Sequence, residues 1–132
     1  MKPARWTGGC LCGRVRYRIS GEMRGLMACH CGQCRRWTGH GFASASVARD
    51  ELAVEGDVAW FESTPGKVRR GFCPGYGSSL FWERIEGSVV DVLAGTLDAP
   101  TGLALEGHIF VADKGDYYSI GDGLPQHPAA RP

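Results

Sequence analysis

The clearest pattern in the chain is the alternation across residues 13–20. Val15, Tyr17 and Ile19 fall on one side, and Arg14, Arg16 and Arg18 on the other. That period of two predicts a half-buried strand, closed by Ser20-Gly21. Leu26-Met27-Ala28 is a short apolar run leading into the second cysteine group, and short strands are expected again at 42–47, 52–54, 58–62, 67–72, 79–83, 89–94, 108–111 and 117–120. Turn residues recur about every ten positions, the rhythm of an all-β chain. No segment sustains a helical period; residues 33–38 predict one or two helical turns, ended by Gly39. The reading is one domain over 1–132, with its core at about 8–126 and an extended tail carrying Pro125, Pro128 and Pro132.

Composition narrows the classes. Fifteen basic residues against 14 acidic ones give a net charge of +1, which argues against a dedicated nucleic-acid binder. Twenty glycines and seven prolines beside 43% hydrophobic residues suit a turn-rich β domain rather than disorder. The opening Met1-Lys2-Pro3-Ala4-Arg5-Trp6 has no apolar leader, and no run is long enough to span a membrane. A cytoplasmic location is expected, where thiols stay reduced.

That makes the six cysteines the chemistry to explain. Cys10 and Cys12 form C-x-C, Cys29, Cys31 and Cys34 form C-x-C-x-x-C, and Cys73 stands in Cys73-Pro74-Gly75-Tyr76-Gly77. Residues two apart in an extended segment point to one side, so Cys10 and Cys12 can offer two thiolates to one ion. Backbone N–H groups of the Cys31–Cys34 turn can support the sulfur charge. Zinc takes about four ligands, all filled in structural sites and one left open in catalytic ones. Cys29, Cys31 and Cys34 are one ligand short. Either the fourth place is open to a thiol or water, or another side chain closes it. His30, between two of these cysteines, should point away from a metal, as a supporting or solvated residue. A thioredoxin-like role for Cys31-Gly32-Gln33-Cys34 lacks its βαβ context.

Three motifs in order, Gly9-Cys10-Leu11-Cys12-Gly13, Cys29-His30-Cys31-Gly32-Gln33-Cys34-Arg35 and Phe72-Cys73-Pro74 with Gly77-Ser78 and Leu80-Phe81-Trp82, resemble the glutathione-dependent formaldehyde-activating enzyme family, which includes centromere protein V-like domains. His108-Ile109-Phe110-Val111, Lys114 and Asp122-Gly123-Leu124-Pro125 share the likeness. The resemblance implies a mainly antiparallel β-tent holding two Zn2+ ions. It implies a structural site of Cys10, Cys12, Cys73 and residue 76, and a catalytic site of Cys29, Cys31 and Cys34. It also implies a carbon–sulfur lyase that joins glutathione and formaldehyde as S-hydroxymethylglutathione. The competing class is a non-catalytic zinc module that binds a small thiol or serves an assembly, with a homodimer compatible with either. Fold alone does not choose between them.

Tyr76 departs from that pattern by standing where a fourth cysteine is expected. Its phenolate is a hard, high-pKa oxygen beside soft thiolates. The outcomes are ligation by the phenolate, a ring turned outward with a weaker three-thiol site, or an empty site; the second is favoured. One zinc is therefore expected at the second triad, with the first site weakened or empty. Arg35 and His40 are the candidates for substrate contact. The Arg14, Arg16 and Arg18 stripe reads better as a solvated face. Trp37, Trp60, Phe61, Phe72, Phe81 and Trp82 read as core.

Overall fold

The computed structural model describes residues 2–132. Ten strands run in order: β1 (Trp6–Gly9), β2 (Arg16–Ile19), β3 (Arg24–Cys29), β4 (Phe42–Ala48), β5 (Leu52–Glu55), β6 (Ala59–Thr64), β7 (Val68–Phe72), β8 (Ser79–Arg84), β9 (Val89–Leu93) and β10 (Gly107–Ile109). One helix, α1 (Gly32–Thr38), interrupts them between β3 and β4. The strands make two sheets, β1-β2-β5 and β10-β3-β4-β9-β8-β7-β6. Every pairing is antiparallel except β10 against β3. The expected all-β, mainly antiparallel class is the one found.

The alternation of β2 does the work expected of it. Tyr17 and Ile19 are buried while Arg18 is exposed. Val15 is also fully buried, although it lies just before the strand. These side chains meet Val47, Leu80, Phe81, Val90 and Val92 from the larger sheet in one apolar cluster. Tyr17 packs edge-on to Phe81 with ring centroids 5.4 Å apart. Fully burying a side chain such as Phe81 contributes about 1.5–3 kcal/mol. Tyr17 keeps its hydroxyl satisfied by Thr96 Oγ1 at 2.7 Å, and burial pushes its pKa up to about 12 despite that bond.

One strand was not expected, and two expectations need correction. Strand β1 has no alternation to announce it: its Gly8 lies so close to the Tyr17 ring and the Thr96 carbonyl that a Cβ would collide with both. Residues 117–120 are turn and irregular chain rather than a strand, because Tyr117 and Tyr118 are used against His40 and His30 instead of a sheet neighbour. The aromatic core reading holds fully for Phe81 alone; Phe61 is 65% exposed, and Trp37 and Phe72 line a surface cavity with it.

Helix α1 is short and its ends are well defined. Cys31 is its N-cap, with Sγ accepting from the Cys34 N–H. That is the role Ser or Asp more often fills. Arg35 and Arg36 occupy the last turn, where cations suit the helix dipole. Gly39 closes it at φ 86°, donating to the Arg35 carbonyl, a left-handed conformation natural to glycine. No helix among the described residues is long and apolar enough to cross a membrane.

Candidate metal centres and the adjoining cavity

The cysteines gather as two triads, Cys10 with Cys12 and Cys73, and Cys29 with Cys31 and Cys34. Within each, the three Sγ atoms lie within 4.8 Å of one another, and among the described residues neither includes a fourth His, Cys, Asp or Glu. All six are free thiols. Zinc at about 2.3 Å from each sulfur would set tetrahedral sulfurs about 3.8 Å apart. The separations are 3.5 Å for Cys10–Cys12 and 3.6 Å for Cys12–Cys73. They are 3.0 Å for Cys31–Cys34 and 3.3 Å for Cys29–Cys34. Both donor sets fit a soft divalent ion with small adjustments.

The first triad bridges the turn after β1 and the turn after β7. Burial opposes ionisation of Cys10, but the Ser78 hydroxyl, the Cys12 main chain and the neighbouring thiols outweigh it and bring its pKa down to about 6. Ser78 Oγ and Cys10 Sγ are 3.1 Å apart. Tyr76 turns outward, 62% exposed. Its main chain nevertheless hydrogen-bonds Cys12, so position 76 stays against the site although its ring does not.

The second triad is formed by the end of β3 and the start of α1. Cys29 and Cys34 are buried and Cys31 half-buried. As thiols, Cys34 is pushed well up, first by its hydrogen bond with Cys29 and then by burial; Cys31 is raised chiefly by burial. A bound cation would oppose both effects. Arg70, only 5% exposed, reaches into this group: Nη1 donates to Cys34 Sγ at 3.7 Å and Nη2 to Gln33 Oε1 at 3.1 Å. In the sequence Arg70 stands only as half of the Arg69-Arg70 pair, one of several basic groups that could capture an anion. Only the β7 register turns it inward.

His30 is neither solvated nor directed at the thiols. It is buried between Tyr118, whose hydroxyl meets Nδ1, and His108, whose Nδ1 lies 2.8 Å from His30 Nε2. His108 Nε2 is 2.7 Å from Asp122 Oδ2. An ionised carboxylate only accepts, so His108 donates to it from Nε2, and in the arrangement with neutral rings His108 Nδ1 accepts from His30 Nε2. One proton per ring then satisfies the whole chain from Tyr118 to Asp122. With the His30 N–H donating to the Ile109 carbonyl at 3.1 Å, this network fixes the Cys29–Cys31 segment from behind.

The second triad lines a cavity of about 970 Å³, whose walls include Phe42, Ser44, Trp82, Asp91 and Arg70. A neighbouring cavity of about 830 Å³ is lined by Arg35, Trp37, Phe61 and Phe72. Gln33 and Arg70 border both. Of the two expected contact residues, Arg35 therefore faces the neighbouring cavity. His40 bonds Tyr117 through Nδ1 and lines neither. Arg14, Arg16 and Arg18 lie away from both cavities, with Arg16 paired to Asp98.

Two β-sheets sharing one core, with two cysteine triads at their turns, define an all-β protein equipped for zinc. The chain belongs to the glutathione-dependent formaldehyde-activating enzyme family, whose model matches residues 5–113. A crystal structure of a Rhodobacter sphaeroides protein is similar in fold, with a TM-score of 0.62 and 20% identity, over 77% of this chain and 98% of that one. Among curated proteins none matches.

Proposed function

We propose that Cys29, Cys31 and Cys34 hold a zinc ion with one position open, and that a small thiol such as glutathione enters there from the large cavity. The carrying observation is a three-sulfur group, with no fourth His, Cys, Asp or Glu beside it among the described residues, opening onto that cavity. Zinc bound there would supply the positive charge that keeps a thiol ionised near neutral pH. Arg70 adds a second positive group at Cys34, and the Cys34 N–H supports Cys31. The reaction is carbon–sulfur bond formation: the sulfur adds to the formaldehyde carbon, the carbonyl π pair moves to oxygen, and that oxygen takes a proton to give the hydroxymethyl thioether.

Cys10, Cys12 and Cys73 form the scaffold site in this reading, holding zinc more weakly because Tyr76 supplies no thiol. Six free thiols accord with a reducing, cytoplasmic setting. Because thiols add to formaldehyde unaided, the decisive quantity is the rate in excess of the spontaneous reaction. Zinc-loaded protein should accelerate the glutathione–formaldehyde reaction, and Cys31→Ser should remove the excess. Equal rates for the two proteins at equal zinc supply would leave the non-catalytic thiol-binding module as the correct class.

A further inference from the structure

One face of the larger sheet carries a registered row that crosses five strands. Ser46 on β4 pairs with Asp91 on β9, Asp91 with Trp82 on β8, Trp82 with Arg70 on β7, and Arg70 with Phe61 on β6. Paired residues share a face, and Ser46, Asp91, Trp82 and Arg70 all line the cavity of the second triad. Arg70 is the member of the row that touches Cys34. Asp91 lies two strands away, about 10 Å at the usual strand spacing.

Asp91 is half-buried and its carboxylate has only hydroxyl partners: Ser46 donates to Oδ1 at 2.7 Å and Ser44 to Oδ2 at 3.2 Å. Among the described residues no Lys, Arg or His forms an ion pair with it. Burial pushes its carboxyl above the ordinary range, against the pull of Ser46 and Ser44. Two hydroxyls satisfy hydrogen bonds but bring no charge, so the site still favours a cation. A divalent ion such as Ca2+ or Mg2+ would need about six oxygen ligands. One carboxylate and two hydroxyls suit a single ammonium group.

We propose that Asp91 is a specificity-determining residue that binds the ammonium group of the thiol ligand. The ligand class is a peptide-like thiol whose amino group reaches Asp91, two strands from the arginine that touches Cys34. A simple amino thiol, with nitrogen and sulfur on neighbouring carbons, holds the two groups too close together to reach across two strands. The γ-glutamyl amine of glutathione belongs to the class that can. This inference rests on the reading of the cavity as a thiol site, and it adds what selects among thiols.

The test is titration calorimetry on zinc-loaded protein with two peptides, glutathione and its counterpart bearing hydrogen in place of the γ-glutamyl amino group. Wild type should prefer the amino form by roughly ten-fold or more, the scale of a charge-assisted hydrogen bond. Asp91→Asn should bind both alike. An unchanged affinity for the des-amino peptide shows that the variant's cavity is intact. The thiol reading is gauged separately by S-methylation, which should weaken both peptides equally. No amino preference in wild type, with S-methylation still weakening both, overturns the Asp91 role and leaves the thiol reading standing. An amino preference that Asp91→Asn removes, with S-methylation having no effect, supports Asp91 and sinks the thiol reading. A preference retained by Asp91→Asn overturns the inference, and so does wild type that binds neither peptide.

Discussion

Replacing Tyr76 by cysteine would return a fourth thiol to the group of Cys10, Cys12 and Cys73. Little stands in the way, because the ring is 62% exposed and the residue 76 main chain already bonds Cys12. The three sulfurs stand 3.5 and 3.6 Å apart along Cys10–Cys12–Cys73, near the tetrahedral value of about 3.8 Å. Outer partners of metal ligands command about 10–100-fold in affinity, and a direct ligand should give at least that, or about 1.4–2.7 kcal/mol. Because metal binding to the folded form adds to stability, the melting temperature in zinc should rise by roughly 5–10 °C. After dialysis against a mild chelator, Tyr76→Cys should also retain more zinc per chain than wild type. Equal zinc content and equal melting temperatures would refute the argument. Wild type would then already be holding the ion with three thiols and a donor other than residue 76.

Other substitutions test the frame that carries the sites. Glu83, 2% exposed, bridges Arg49 and Arg69 at 2.6 Å each; Glu83→Gln should cost about 2–3 kcal/mol in urea unfolding, below the range for fully buried pairs because both arginines reach solvent. Phe81→Ala, which empties the contact between the sheets, should cost about 3–5 kcal/mol by the same measurement. Asp98 is held below the ordinary carboxylate range by Arg16 and then Thr7. Its contribution is therefore present above the unfolded-state pKa and is lost as pH falls through the folded one. The stability gap between wild type and Asp98→Asn should be visible at pH 7 and shrink as pH falls below the ordinary carboxylate range; a gap independent of pH would discount the ion pair.

The sequence announced those parts of the fold whose residues carry their own signal. Alternation in β2, the turn rhythm and Gly39 after α1 are local physics, and the structure follows them. Strand β1 gave no such signal, since Trp6-Thr7-Gly8-Gly9 is shaped by the approach of Tyr17 and Thr96. Tyr117 and Tyr118 read as strand residues because aromatic pairs favour sheets, yet they serve two histidines far away in sequence. The second triad was legible from cysteine spacing, whereas Cys73 was joined to Cys10 and Cys12 only through the family resemblance. Asp91 was not legible, and Arg70 stood out only as half of an Arg-Arg pair, because only cross-strand register brings an arginine and an aspartate into one cavity row.

The two triads also differ in how much of the chain must be in place before each is secure. Cys12 and Cys73 meet across a separation of 61 residues, whereas Cys29 and Cys34 are only five apart. The support behind the local triad is the more distant element: His30 reaches His108 across 78 residues, and β10 joins β3 in parallel. Contacts of such long range come late in folding, once the loop-closure cost has been met. A growing chain can therefore gather Cys29, Cys31 and Cys34 around an ion early, while the segment carrying them is locked in place only when β10 docks.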